Sequence, residues 1–183
     1  MKLLVLTISG YQDIELVSFV GVLNASGQWT TIDYWNPDGQ TLVVGSNRIG
    51  AISAITGPVD ADAYDAIFIP GGYACQALRT NSAALRLIGN FIALDKYVVA
   101  ICDAPNALVD AGMQLDKQYV SYPIPTIATC ATAHRQTGVK TWVDGKYITG
   151  DSPAASIELA LVVTKVLFGA AAAAHTRAKV SGT

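Results

Sequence analysis

The chain has 183 residues, of which 51% are hydrophobic and 14% charged, with a formal net charge of −2. That length suits one domain and is short for two. So apolar a composition excludes a disordered chain, and without a basic stripe nothing neutralises a phosphate backbone, which argues against nucleic acid as a partner.

Residues 2–8 open the chain as a first strand, too short for a signal peptide, and no later apolar run approaches the roughly 20 residues of a membrane helix. The expected compartment is therefore the cytoplasm, with no membrane partner. Cys75, Cys102 and Cys130 form no Cys-x-x-Cys pair, so neither a disulfide framework nor a zinc site is supported. A helical period follows over residues 14–26 and a strand over 29–35, which makes a βαβ opening. After the turn Asn36-Pro37-Asp38-Gly39 come short strand-like pieces at 42–44 and 49–52.

Residues 66–69 read as a buried strand ending in Pro70-Gly71-Gly72, with a helix over 82–94 behind it. The next buried strand is 98–101, followed by a helix over 105–111 and a strand at 119–122. Asp144-Gly145 between Trp142-Val143 and Tyr147-Ile148 signals a hairpin. The last long helix spans 153–168, with Ser152 as N-cap, Pro153 in the first helical position and Gly169 at its end. One domain over 1–169 is expected, and an alanine-rich tail over 170–183 that is either a short helix or frayed. Alternating strands and helices imply α/β architecture, a mostly parallel, doubly wound sheet whose sites form at the carboxyl ends of its strands.

Three loops leave such ends: Gly10 to Glu15, Pro70-Gly71-Gly72-Tyr73, and Ile101-Cys102-Asp103-Ala104-Pro105. Cys102 stops a buried strand where a helix should begin, and the unpaired N–H groups of a helix start favour thiolate over thiol. A small buried hydrophobe is the alternative reading of the same residue. Glu15 would hold its proton beside a thiolate and donate a hydrogen bond, or else serves only the dipole of its own helix. Gly71 and Gly72 let backbone approach a ligand, and the N–H groups of Gly72 and Tyr73 are candidates for an oxyanion site. Asp103 reads as the N-cap of the helix after Cys102, or as an acid/base group facing the pocket.

These segments, together with Gly150-Asp151-Ser152-Pro153-Ala154, resemble the ThiJ/PfpI family, also called the DJ-one superfamily, in order and spacing up to about Gly169. The resemblance implies a flavodoxin-like three-layer sandwich and a homodimer. It also implies a cysteine nucleophile elbow at Cys102, with a protonated Glu15 on its sulfur, and Tyr73, Tyr122, Pro123 and Ser152 along the pocket. In its protease branch a histidine follows the cysteine where this chain has Asp103, and in its glyoxalase-like branch a histidine stands near Tyr122. His134 is the candidate substitute. No His-x-Glu follows Cys102, which argues against an amidotransferase triad.

Two functions are therefore expected. The first is a glyoxalase-III- or deglycase-like enzyme on small reactive carbonyls, with Cys102 as nucleophile, Glu15 as proton shuttle and no metal or organic cofactor. The second is an oxidative-stress sensor or chaperone-like homodimer in which an oxidant converts Cys102 to the sulfinate.

Overall fold

A computed structural model of the chain describes residues 1–114, 116–126 and 132–183. Its six-stranded sheet has the order β2-β1-β5-β6-β8-β7, formed by β1 (Lys2–Leu6), β2 (Thr31–Trp35), β5 (Ala66–Ile69), β6 (Tyr97–Ile101), β7 (Thr141–Asp144) and β8 (Tyr147–Gly150). All neighbours pair in parallel except β7, which returns antiparallel along β8 at the edge. A two-stranded antiparallel ribbon, β3 (Leu42–Val44) with β4 (Ala51–Ser53), stands apart.

The central strands β5 and β8 are buried at every residue, and β1 and β6 at all but their first, so side chains on both sheet faces are covered. One face carries α1 (Asp13–Ser26), α5 (Ser156–Phe168) and α6 (Ala170–Ser181), which pack on one another. Here Phe19 of α1 stacks on Phe68 of β5 with centroids 3.8 Å apart. Against β5 and β6 lies α3 (Ser82–Ala93), capped by Asn81, whose side chain accepts the Ala84 N–H. Two short helices complete the set: α2 (Ala74–Leu78) and α4 (Ala104–Asp110), packed on each other. This is the expected flavodoxin-like sandwich, with β1, β5 and β6 adjacent and their carboxyl ends side by side.

Two local expectations are corrected and two are made definite. Residues 119–122 form no strand; Tyr119 makes a single bridge with Arg135, and the segment instead ties to the elbow through Tyr122 N–H to Cys102 O at 2.8 Å. Ser152 does not cap with its side chain, because its hydroxyl donates to Asp151 at 2.6 Å and the chain enters α5 through a 3₁₀ turn, Pro153–Ala155. In the β7–β8 hairpin Asp144 pairs with Tyr147, so the central turn residues are Gly145 and Lys146. The alanine-rich tail is helical as α6: it buries Thr176 and reaches α1 through Lys179 Nζ to Ala25 O at 3.2 Å. Among the described residues no helix is long and apolar enough to cross a membrane.

Candidate active site

The three loops singled out in the sequence meet. Gly10 to Gln12 and Pro70 to Ala74 are stitched by Gln12 N–H to Gly71 O and Ala74 N–H to Gly10 O, both 3.1 Å, around an isolated bridge between Tyr11 and Gly72. Only glycine fits there. Gly72 has φ of +90°, and a side chain on it would place Cβ 2.6 Å from Gln12 N. Cys102 follows β6 with φ of +62°, a left-handed conformation unusual for a residue with a Cβ. Its N–H donates to Gly150 O at 2.9 Å, and its carbonyl accepts from Tyr122. These two bonds hold the strained elbow.

Glu15 projects from the first turn of α1 into the interior, with no exposed surface. Its Oε2 accepts the Gly71 N–H at 2.6 Å, its Oε1 is buried without a hydrogen-bond partner, and the Cys102 thiol lies close enough to interact with the carboxyl. Burial pushes Glu15 up to about 7, against the opposing bonds from Cys102 and Gly71. Burial, and not a neighbouring thiolate as the sequence suggests, is what raises the carboxyl.

The expectation of a resting thiolate is corrected. Burial, then the charge and hydrogen bond of Glu15, push the Cys102 thiol up, outweighing the lowering effect of the Asp103 N–H. With the thiol raised and the carboxyl raised only to about 7, the carboxylate is placed to take the proton as sulfur attacks.

Above Cys102 opens a cavity of about 270 Å³. The sequence candidates Gly72, Tyr73, Cys102, Asp103 and Tyr122 line it, joined by Gln12, Gln76 and Ile124, which the sequence reading missed. Gln12 lay inside the quoted first loop and Gln76 one turn beyond Tyr73, but neither residue type signals chemistry by itself. Gly71 lies beneath, with Cys102 on one side and Glu15 on the other. Ser152 is not part of the cavity wall. His134 is exposed and also absent from that wall; its carbonyl accepts from Tyr119.

Asp103 stands at the N-cap position of α4, but its side chain makes no capping bond. Both its carboxylate oxygens instead receive a fork from Arg79 at 2.9 Å each, a partner that the sequence reading missed. Cys75 is fully buried, with its thiol pushed well up by that burial. Cys130 lies outside the described residues. Among the described residues, no group of three or more His, Cys, Asp or Glu is placed to hold a metal.

A parallel α/β sandwich with a left-handed cysteine elbow after a central strand, and a buried carboxyl from the first loop on its sulfur, defines the class. The chain belongs to the DJ-1/PfpI family, whose pattern it matches over residues 1–166. It is similar to the uncharacterized protein MG029 of Mycoplasma genitalium, 27% identical over 164 residues, covering 88% of this chain and 86% of that one. It also resembles deglycase PH1704 of Pyrococcus horikoshii, 25% identical over 155 residues, covering 84% and 92%. Among solved structures, oxidized DJ-1 of Toxoplasma gondii shares the fold with a TM-score of 0.83 at 24% identity, covering 98% of this chain and 97% of that one.

Proposed function

We propose that the protein is a cysteine-dependent, deglycase-like enzyme acting on small reactive carbonyl compounds, with Cys102 as nucleophile and Glu15 as proton carrier. The observation that carries the reading is Cys102 in the wall of an open cavity with the buried Glu15 carboxyl, pushed up to about 7 by burial, behind it across Gly71. Sulfur bonds to the aldehyde carbon of an α-oxoaldehyde such as methylglyoxal while Glu15 takes the thiol proton, and protonation of the oxygen gives a hemithioacetal. Transfer of the proton on that carbon to the neighbouring carbonyl carbon, with the hydroxyl proton passing to that carbonyl's oxygen, leaves a thioester of a 2-hydroxy acid. Water then releases the acid and restores the thiol. The aldehyde carbon is oxidised and its neighbour reduced, so the redox change is internal to the substrate. The deglycase named among the relatives supports a carbonyl-adduct substrate class. Gly72 and Asp103 N–H groups are the candidate donors to the developing oxyanion.

The assembly proposed is a homodimer. Ile14 and Val17 of α1 are 51% and 64% exposed, and Ile49 is 78% exposed. Asp13 accepts the N–H groups of Asn47 and Ile49, which seats the Ile49 loop on the start of α1 and makes one apolar patch of the three side chains. A second copy is the occupant that would cover it.

A second reading, a sensor in which peroxide converts Cys102 to the sulfinate, is favoured by the absence of histidine from the described cavity wall. Methylglyoxal turnover by the wild type and by Cys102→Ser separates the two. Lactate formed only by the wild type supports the enzyme; no lactate, together with a gain of two oxygens on Cys102 under mild peroxide, replaces it with the sensor.

A further inference from the structure

Arg79 follows α2 directly and is spread over three partners. Its Nη1 and Nη2 fork onto Asp103, its Nη1 also reaches Cys75 O at 3.0 Å, and its Nε binds Asp110 at 2.7 Å. The side chain of Arg79 is 15% exposed and that of Asp103 7%, so the pair is largely removed from water.

From Asp103 the bonding continues around the elbow. Asn106 Nδ2 donates both to Asp103 Oδ1 and to Tyr122 O, each at 3.1 Å. Tyr122 N–H in turn holds the Cys102 carbonyl at 2.8 Å. The ring runs from the end of α2, through the residue after the cysteine, into the segment after α4 and back to the cysteine. It encloses the one elbow residue whose φ is +62°.

We propose that Arg79 is a positioning residue for Cys102: acting through Asp103, it holds the elbow in its reactive geometry and compensates the carboxylate of the residue next to the cysteine. The proposal rests on the reading of Cys102 as the reactive sulfur. A buried carboxylate without its cation would oppose any further negative charge nearby, whether on sulfur or on Glu15. The direction agrees with the charges already present, since Asp103 raises Glu15, and Asp103 and Arg79 push Cys75 in opposite senses. The ionisable side chains acting on Cys102 are Glu15 from α1 and Cys75 from α2, while Asp103, the next residue in the elbow, donates its backbone N–H to the sulfur and turns its carboxylate to Arg79, which links it to Asp110 of α4. Lysine in place of Arg79 would keep the charge but lose the fork.

The test is the pH dependence of Cys102 alkylation by iodoacetamide, assigned by peptide mapping, for the full-length wild type, Arg79→Met, Asp103→Asn and the double variant. Arg79→Met is expected to move the profile to higher pH by about one unit, so alkylation slows about tenfold at a fixed pH below the midpoint. Asp103→Asn leaves Arg79 bound to Asp110 and is expected to move the profile the other way. The double variant, with neither charge, is expected to return to within about threefold of the wild type. A profile for Arg79→Met that superimposes on the wild type below its melting temperature overturns the proposal. So does a double variant as slow as Arg79→Met. Should Arg79→Met fail to fold, an Asp103→Asn profile identical to the wild type overturns it alone. None of these readouts needs turnover: failure of the wild type to consume methylglyoxal sinks the enzymatic reading and leaves this measurement intact.

Discussion

Gly71 lies so close to Cys102 that a Cβ built on it would fall 2.8 Å from the Cβ of Cys102. The same atom would lie 2.9 Å from Glu15 Oε2 and 2.9 Å from Ile101 O. Its φ is not in the left-handed region, so alanine is excluded by contact and not by backbone preference. Gly71→Ala is therefore expected to cost about 1–3 kcal/mol, the usual range for overpacking, and to displace the thiol from the carboxyl. Gly72→Ala meets both a φ of +90° and backbone atoms at 2.6 and 2.8 Å, and should cost more. Urea denaturation and Cys102 alkylation of both variants check the order; equal stability of Gly71→Ala and wild type would contradict the crowding.

The same crowding explains what the sequence disclosed. Strand-to-helix punctuation placed Cys102, and Gly71-Gly72 after a buried strand placed the second loop, because both are local signals. Glu15 was legible as a carboxyl in a first helical turn, though only the sheet order β1-β5-β6 brings it to sulfur. Arg79 was not legible, since its value lies in a fork to a residue 24 positions away. The strand expected at 119–122 failed for a related reason: Tyr119 and Tyr122 make their backbone bonds to Arg135's neighbourhood and to Cys102, and not to a sheet. Ser152, next to the 3₁₀ entry to α5, hydrogen-bonds sideways to Asp151, a choice that its preference for caps does not reveal.

Nucleophilicity and turnover should part company at Glu15. Its charge and its hydrogen bond both push the Cys102 thiol up. Glu15→Gln removes the charge, so alkylation of Cys102 is expected at lower pH than in the wild type, by about one unit or more. Turnover of methylglyoxal should nevertheless fall by about 10²-fold or more, because the proton carrier is gone. A variant that keeps full turnover would remove Glu15 from the mechanism.

Val17 reports on assembly. On α1 it is 64% exposed, in line with Ile14 and the exposed Gly21, whose missing side chain lets another helix approach. Val17→Asp sets a charge in the middle of the proposed interface and should leave the monomer's fold untouched, since the residue contributes little to the core. Sedimentation is expected to show a dimer for the wild type and a monomer for Val17→Asp at micromolar concentration. A wild type that sediments as a monomer at high concentration would refute the interface.

The buried Glu15 also makes stability depend on pH with a definite sign. Its folded value, about 7, lies above the ordinary 4.5, so between those values the folded protein holds a proton that the unfolded chain has released. Stability that this group contributes is complete below about pH 4.5 and is lost as pH rises through 7. The difference between the two values corresponds to a loss of about 3 kcal/mol, an upper figure for a carboxyl packed against a thiol. Other carboxylates work in the opposite direction, so the wild type alone does not isolate the effect. Glutamine in place of Glu15 cannot ionise. The stability of the wild type relative to Glu15→Gln, measured by urea denaturation, is therefore expected to decline from pH 5 to pH 8, most steeply about midway between the two values and levelling off above 7. Curves that run parallel across that range would show that the Glu15 carboxyl is not held above its ordinary value, and the proton transfer assigned to it would lose its basis.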